Sequence, residues 1–249
     1  MVISSVSKAF TLLNAFSHGR SNLSLSDLTE ITGLNKSSVQ RLLHTLEKLD
    51  LLTKHEKKKT YSLAPKNIDF GYNYLKQNPI IEIASPRLLD LSNKINESIS
   101  LSIQDGRDIV YVIRIPRKGQ VLNTMLLWRR VPVYCSSGGR VFLAARSDES
   151  IRAFLTQQTL LPRKELTITD PDRIFAEIKA AQTQGFAICD QECLLGEIAI
   201  STPIHDSLGN TVAALHVSLN SQQWPKEKII QDLVPSLLET ARAITPPTQ

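Results

Sequence analysis

The chain has 249 residues, 42% hydrophobic and 21% charged, with a net charge of +5. That length suits two ordinary domains with packed cores, and no apolar run approaches the roughly 20 residues a membrane span needs. The three cysteines, Cys135, Cys189 and Cys193, include no pair at CxxC spacing. This argues against a disulfide framework or structural zinc site and points to a reducing, cytoplasmic setting.

Residues 1–8 lack a basic start followed by an apolar core, so no secretion signal is expected. Val6, Phe10, Leu13 and Phe16 mark a first helix. Leu25, Leu28 and Ile31 mark a short second one, with Ser24 or Ser26 suited to its N-cap. Thr32-Gly33-Leu34 connects it to a third, and Gly33 can adopt the positive φ that a sharp helix–helix turn requires. In that third helix Val39, Leu42, Leu43, Leu46 and Leu49 form the buried stripe. Lys36, Ser37, Ser38, Gln40, Arg41 and His44 lie at its start or off the stripe. A helix presenting its N-terminal end to DNA needs such groups, because side chains must reach base edges and the first N–H groups can meet phosphate.

Next, two short apolar runs between Leu51 and Leu63 flank a charged tip carrying Lys57, Lys58 and Lys59, the pattern of a β-hairpin wing. Three helices and such a ribbon predict a winged helix-turn-helix over 1–64. Charge agrees. Residues 1–64 hold nine Lys or Arg and five Asp or Glu, so they account for +4 of the chain's +5. That is the distribution of a phosphate-binding head on a nearly neutral body.

Residues 65–78 read as a linker helix with an aromatic surface (Phe70, Tyr72, Tyr74), broken by Pro79. Such a surface suits a second subunit, since readers of palindromic half-sites are usually dimers. Ile83, Leu88, Leu91 and Ile95 predict another helix. Ser98 to Ile103 alternates polar and apolar like a half-buried strand, and 109–115 reads as a more buried one. A third strand is expected over 121–127. Helices follow at 137–145 and 149–156, then one opened by Asp170-Pro171 and ended by Gly185. Strands at 185–189, 197–205 and 211–219, a turn at 207–210 and a closing helix over 225–243 complete a domain spanning 79–245, with residues 245–249 as a loose tail. This is an α+β domain whose mainly antiparallel sheet is flanked by helices, and it has room for a small-molecule cavity.

Over nearly its whole length the chain resembles IclR-family transcriptional regulators. The stretch from Gly33 to Leu43 is similar to the family's recognition helix. The segments 111–114 and 131–144, and Asp190-Gln191-Glu192 with Gly196 and Ile198-Ala199, are similar to its GAF-like effector domain. Tyr134 to Arg140 and Asp190-Gln191-Glu192 most resemble the branch that regulates aromatic-acid catabolism, the protocatechuate and para-hydroxybenzoate sensors. The resemblance implies an effector cavity faced by Val131, Ser136, Ser137, Gly138, Gly139, Cys189, Ala199, His216 and Ser218. Cys189 and Ala199 stand where glyoxylate-type members usually have aspartate and cysteine, which leaves room for an aromatic effector. Backbone N–H groups at Ser137-Gly138-Gly139 suit a carboxylate, and His216 reads equally as a ligand contact or as a satisfied strand histidine. Arg114 and Arg140 read first as ion-pair partners.

The expectation is a one-component regulator that binds an operator of palindromic or repeated half-sites as a homodimer or homotetramer and senses a small carboxylate. No metal or other cofactor and no membrane are called for. The alternatives are an enzyme acting on a small acid through its GAF-like domain, and a dimeric DNA-binding scaffold without ligand. The enzyme finds no support in motifs, for GxSxG, HExxH and a glycine-rich phosphate loop are all missing.

Overall fold

The computed structural model describes residues 1–17, 19–119 and 128–244. The strand expected over 121–127 and the tail at 245–249 lie outside them. Two compact units divide the chain, Met1–Gln77 and Asn78–Gln249.

The first unit begins with α1 (Ser4–Asn14), a 3-10 turn, a short β1 (Leu23–Ser24) and α2 (Leu25–Thr32). Ser24 caps α2 in a reciprocal capping box with Asp27, and that hydrogen bonding lowers the Asp27 pKa. Gly33 ends α2 at φ 66°, in the left-handed region expected for this turn. After it comes α3 (Lys36–Lys48), capped by Asn35, whose Oδ1 accepts from the Ser38 N–H at 2.8 Å. Val39, Leu43 and Leu46 of α3 pack with Leu12, Phe16, Leu23, Leu28 and Leu52 in one core. Leu49 is exposed, since it lies beyond the last helical turn. The wing is β2 (Leu52–His55) paired with β3 (Thr60–Leu63), and β1 joins β3 to give the order β1-β3-β2. A two-residue β1 carries no periodicity, so it left no signal in the sequence. A 3-10 turn at Pro65–Asn67 leads into α4 (Ile68–Lys76).

The second unit opens with α5 (Pro79–Ile95), where Pro79 occupies the first turn and starts a helix as well as stopping one. Among the described residues its sheet has six strands in the order β6-β5-β4-β9-β8-β7, with every pairing antiparallel. The strands are β4 (Ser98–Asp105), β5 (Asp108–Ile115), β6 (Arg130–Pro132), β7 (Ala187–Asp190), β8 (Glu197–His205) and β9 (Thr211–Asn220). Between β6 and β7 come α6 (Ser137–Ala144), α7 (Asp148–Thr156) and α8 (Pro171–Gln184). Asp170 caps α8 and Gly185 ends it at φ 79°, as the sequence predicts. The closing helix runs unbroken from Lys226 to Ala243 but is not α-helical throughout. A short α9 (Lys226–Lys228) passes through a π turn at Ile229–Leu233 into α10 (Val234–Ala243). Pro235 has no N–H to offer the preceding turn, and the wider turn absorbs that defect.

The expectation that β4 is half-exposed is corrected. Ser98, Ser100 and Ser102 are as buried as Ile99 and Leu101. Helix α6 packs on β8 and β9 on the face to which these serines point, while α5 and α10 cover the opposite, aliphatic face.

Candidate DNA-binding surface and effector cavity

The first unit presents the groups singled out from sequence. Lys36, Ser37, Gln40, Arg41 and His44 are exposed along the start and outer side of α3, and Ser38 is half-buried at its first turn. The Ser37 hydroxyl donates to Asn35 Oδ1 at 2.9 Å, so Asn35, not singled out from sequence, organises this terminus. Lys57, Lys58 and Lys59 are exposed at the wing tip, with Lys59 at φ 50°. Among the described residues, none of Lys36, Arg41, Lys57, Lys58 and Lys59 has an acidic partner within 4.0 Å, whereas Lys54 is paired with Glu56 at 2.8 Å. These cations are therefore available to phosphate.

In the second unit the N-terminus of α6 sits over the serine face of the sheet. Ser136 caps it, accepting from the Gly139 N–H at 3.1 Å and donating to the Pro132 carbonyl at 3.0 Å. The Ser137 hydroxyl is 2.7 Å from that of Ser201. His216 is buried with both ring nitrogens engaged, Nδ1 2.8 Å from Ser201 Oγ and Nε2 2.6 Å from Ser102 Oγ. Burial, aided by the Arg114 charge, pushes its pKa down to about 3, so the ring is neutral.

Beside this network a narrow cavity of about 20 Å³ is lined by Ser136, Ser137, Cys189 and Ala199, as expected, and also by Tyr111, Glu192, Cys193 and Glu197. A larger groove of about 440 Å³ adjoins it, sharing Leu194 and Glu197 and lined by Arg114, Ser98 and Ser218. Four of the expected residues line neither space. Val131 is in the apolar core, opposite Ile109 in the ladder. Gly138 lies against the His216 ring, Gly139 lies against the Val133 backbone, and His216 spends its nitrogens on serines. Sequence spacing identifies neighbours of the site, but which of them face its open space depends on what covers them.

A buried ion pair braces the cavity wall. Arg140 Nη1 is 2.7 Å from Glu192 Oε1 and Nη2 is 2.9 Å from Oε2, with the side chains 1% and 3% exposed. Glu192 Oε2 also accepts from the Ile168 N–H at 3.1 Å, and Arg140 Nη1 lies 3.0 Å from Cys189 Sγ. The Cys193 thiol donates to the Cys135 carbonyl at 3.0 Å and lies 3.6 Å from the Cys135 thiol; the contact with that thiol, together with burial, raises its pKa. Glu197 has a raised pKa through burial, opposed by Arg114 and by a hydrogen bond from Ser218.

Residues 5–56 match the IclR helix-turn-helix domain, and residues 72–246 match the bacterial transcriptional regulator IclR C-terminal domain. The chain belongs to the IclR family. It is 32% identical to the Pca regulon regulatory protein of Pseudomonas putida over 96% of this chain and 82% of that protein. It is 28% identical to the Pca operon regulatory protein of Acinetobacter baylyi over 97% and 88%. A transcriptional regulator from Rhodococcus sp. RHA1 superposes with a TM-score of 0.84 at 34% identity, covering 98% of this chain and 97% of that one. An IclR homologue from Microbacterium hydrocarbonoxydans, solved with 4-hydroxybenzoate, superposes at 0.80 with 20% identity over 97% of both chains and shares the fold. The chain is thus a DNA-binding transcriptional regulator with a C-terminal effector domain, and these relatives are regulators rather than enzymes. No helix among the described residues is long and apolar enough to cross a membrane.

Proposed function

We propose that this chain is a cytoplasmic regulator of an aromatic-acid degradation operon, binding palindromic or repeated half-sites as a homodimer or a homotetramer. Gln40 and Arg41 read bases, since Gln suits adenine and Arg suits guanine, while Lys36, Ser37, Ser38, His44 and the wing lysines hold phosphate. A small aromatic carboxylate in the second unit shifts the equilibrium between arrangements of the two heads by its differential affinity for them.

The observation that carries the DNA reading is the set of exposed cations, Lys36 and Arg41 on the Asn35-capped α3 and Lys57, Lys58 and Lys59 on the wing, that have no acidic partner within 4.0 Å among the described residues. Similarity to the two Pca regulators supports the effector class. Gel-shift titration against fragments flanking the chain's own gene tests both. Selective binding that 4-hydroxybenzoate or protocatechuate alters is the expected result. Equal binding to all fragments, unaffected by these acids, would overturn it.

A further inference from the structure

The expected carboxylate cradle at the α6 N-terminus is partly in use. The Gly139 N–H is held by Ser136, and the Ser136 and Ser137 hydroxyls are bonded to Pro132 and Ser201. The space beside it, about 20 Å³, suits a single water. The adjoining groove, about 440 Å³, falls within the roughly 300–1,000 Å³ of small-molecule sites.

Three cations line that groove. Arg117 is occupied, 3.9 Å from Glu97 and hydrogen-bonded to Gln223. Lys118 is on the exposed rim. Arg114 is half-buried on β5, anchored through Nη1 to Ser100 Oγ at 3.2 Å, and has no acidic partner within 4.0 Å among the described residues. Its guanidinium therefore keeps most of its donors for a ligand. Leu194 and Leu195 add apolar surface to the same wall, and the Ser218 hydroxyl stands nearby on β9.

We propose that Arg114 is the carboxylate anchor of the effector site, holding a monocarboxylate with a flat apolar body in the groove between β5, β9 and the 194–197 turn. The proposal rests on the effector reading above and deepens it. A full charge on a planar fork matches a carboxylate better than the partly spent donors of a short helix. Glu197 borders the same space, so a second negative charge on the ligand is disfavoured.

Calorimetric titration with 4-hydroxybenzoate and its neutral isostere 4-hydroxybenzamide tests this. The wild-type chain should prefer the acid. Arg114→Met should weaken acid binding about thirtyfold or more, leave the amide unchanged and so erase the preference. Arg114→Lys should keep part of it, and Ser137→Ala should keep all of it. Melting curves establish that each variant is folded. If Arg114→Met binds the acid like wild type, or if Ser137→Ala is the variant that loses the preference, the anchor is elsewhere and this proposal fails while the sensor reading stands. If the wild-type chain binds neither compound, the effector reading fails and the anchor with it.

Discussion

Gly138 and His216 compete for one space. A Cβ built on residue 138 would lie 2.1 Å from His216 Cε1, so the ring occupies the place where any other side chain would begin. The ring cannot swing away without breaking its bonds to Ser102 and Ser201. This contact is what lets α6 settle on the sheet and fixes the position of Ser136 and Ser137 at the cavity. Gly138→Ala is expected to cost about 3 kcal/mol by overpacking, measured by urea unfolding. Adding His216→Ala should make the pair less destabilised than the sum of the single changes, because the methyl then fills the vacated volume. Strict additivity would mean the two residues do not share that space.

The same histidine sets a pH dependence. Its folded pKa, about 3, lies below the 6.5 of a free imidazole, so the unfolded chain binds the proton first. Its contribution to stability is complete above pH 6.5 and is lost as the pH falls from there toward 3. Between pH 7 and pH 5 the loss is about 2 kcal/mol from this residue. Denaturant midpoints measured across that range should fall for the wild-type chain and fall less for His216→Gln. Parallel curves for the two would remove His216 as the cause.

Arg140 and Glu192 give a third test. Both are withdrawn from water, and each is satisfied mainly by the other. Glu192→Gln removes the charge but keeps the shape, leaving Arg140 as an uncompensated buried cation. The expected cost is about 3–5 kcal/mol in chemical denaturation. The double change Arg140→Met with Glu192→Leu should recover most of it, since an apolar pair avoids desolvating two charges. If the double variant is as unstable as the single one, the ion pair is needed for more than neutralising its members.

These residues also mark how far the sequence could be read. Helix α8 is explicit in its letters, because Asp170-Pro171 and Gly185 are local stop and start chemistry. The stripe of α3 and the turn at Gly33 are equally local. The serine face of β4 is not. Alternation of Ser and Ile reports two faces but not that α6 covers the polar one, and the partner that satisfies Ser102 lies on distant β9. For the same reason spacing brings His216 and Gly138 to the neighbourhood of the site, while the choice at His216 between a ligand contact and a satisfied strand histidine depends on serines from β4 and β8. Arg114 reads from sequence as an ion-pair partner, because only the folded chain shows that it has no acidic partner within 4.0 Å among the described residues and that a groove lies beside it.

The wing supplies the last prediction. Lys57, Lys58 and Lys59 are exposed at a hairpin tip and lack acidic partners among the described residues. Contacts from such a tip to phosphate carry no sequence information but release counter-ions. Lys58→Ala should therefore weaken binding to operator and to unrelated duplex by similar factors, and should lower the slope of log affinity against log salt by about 1. Arg41→Ala should behave differently, costing about 1–3 kcal/mol on the operator and less on unrelated duplex. Fluorescence anisotropy across a salt series separates the two patterns. A Lys58→Ala slope equal to wild type would take the wing off the duplex, and a uniform loss for Arg41→Ala would make it a phosphate clamp rather than a reader of bases.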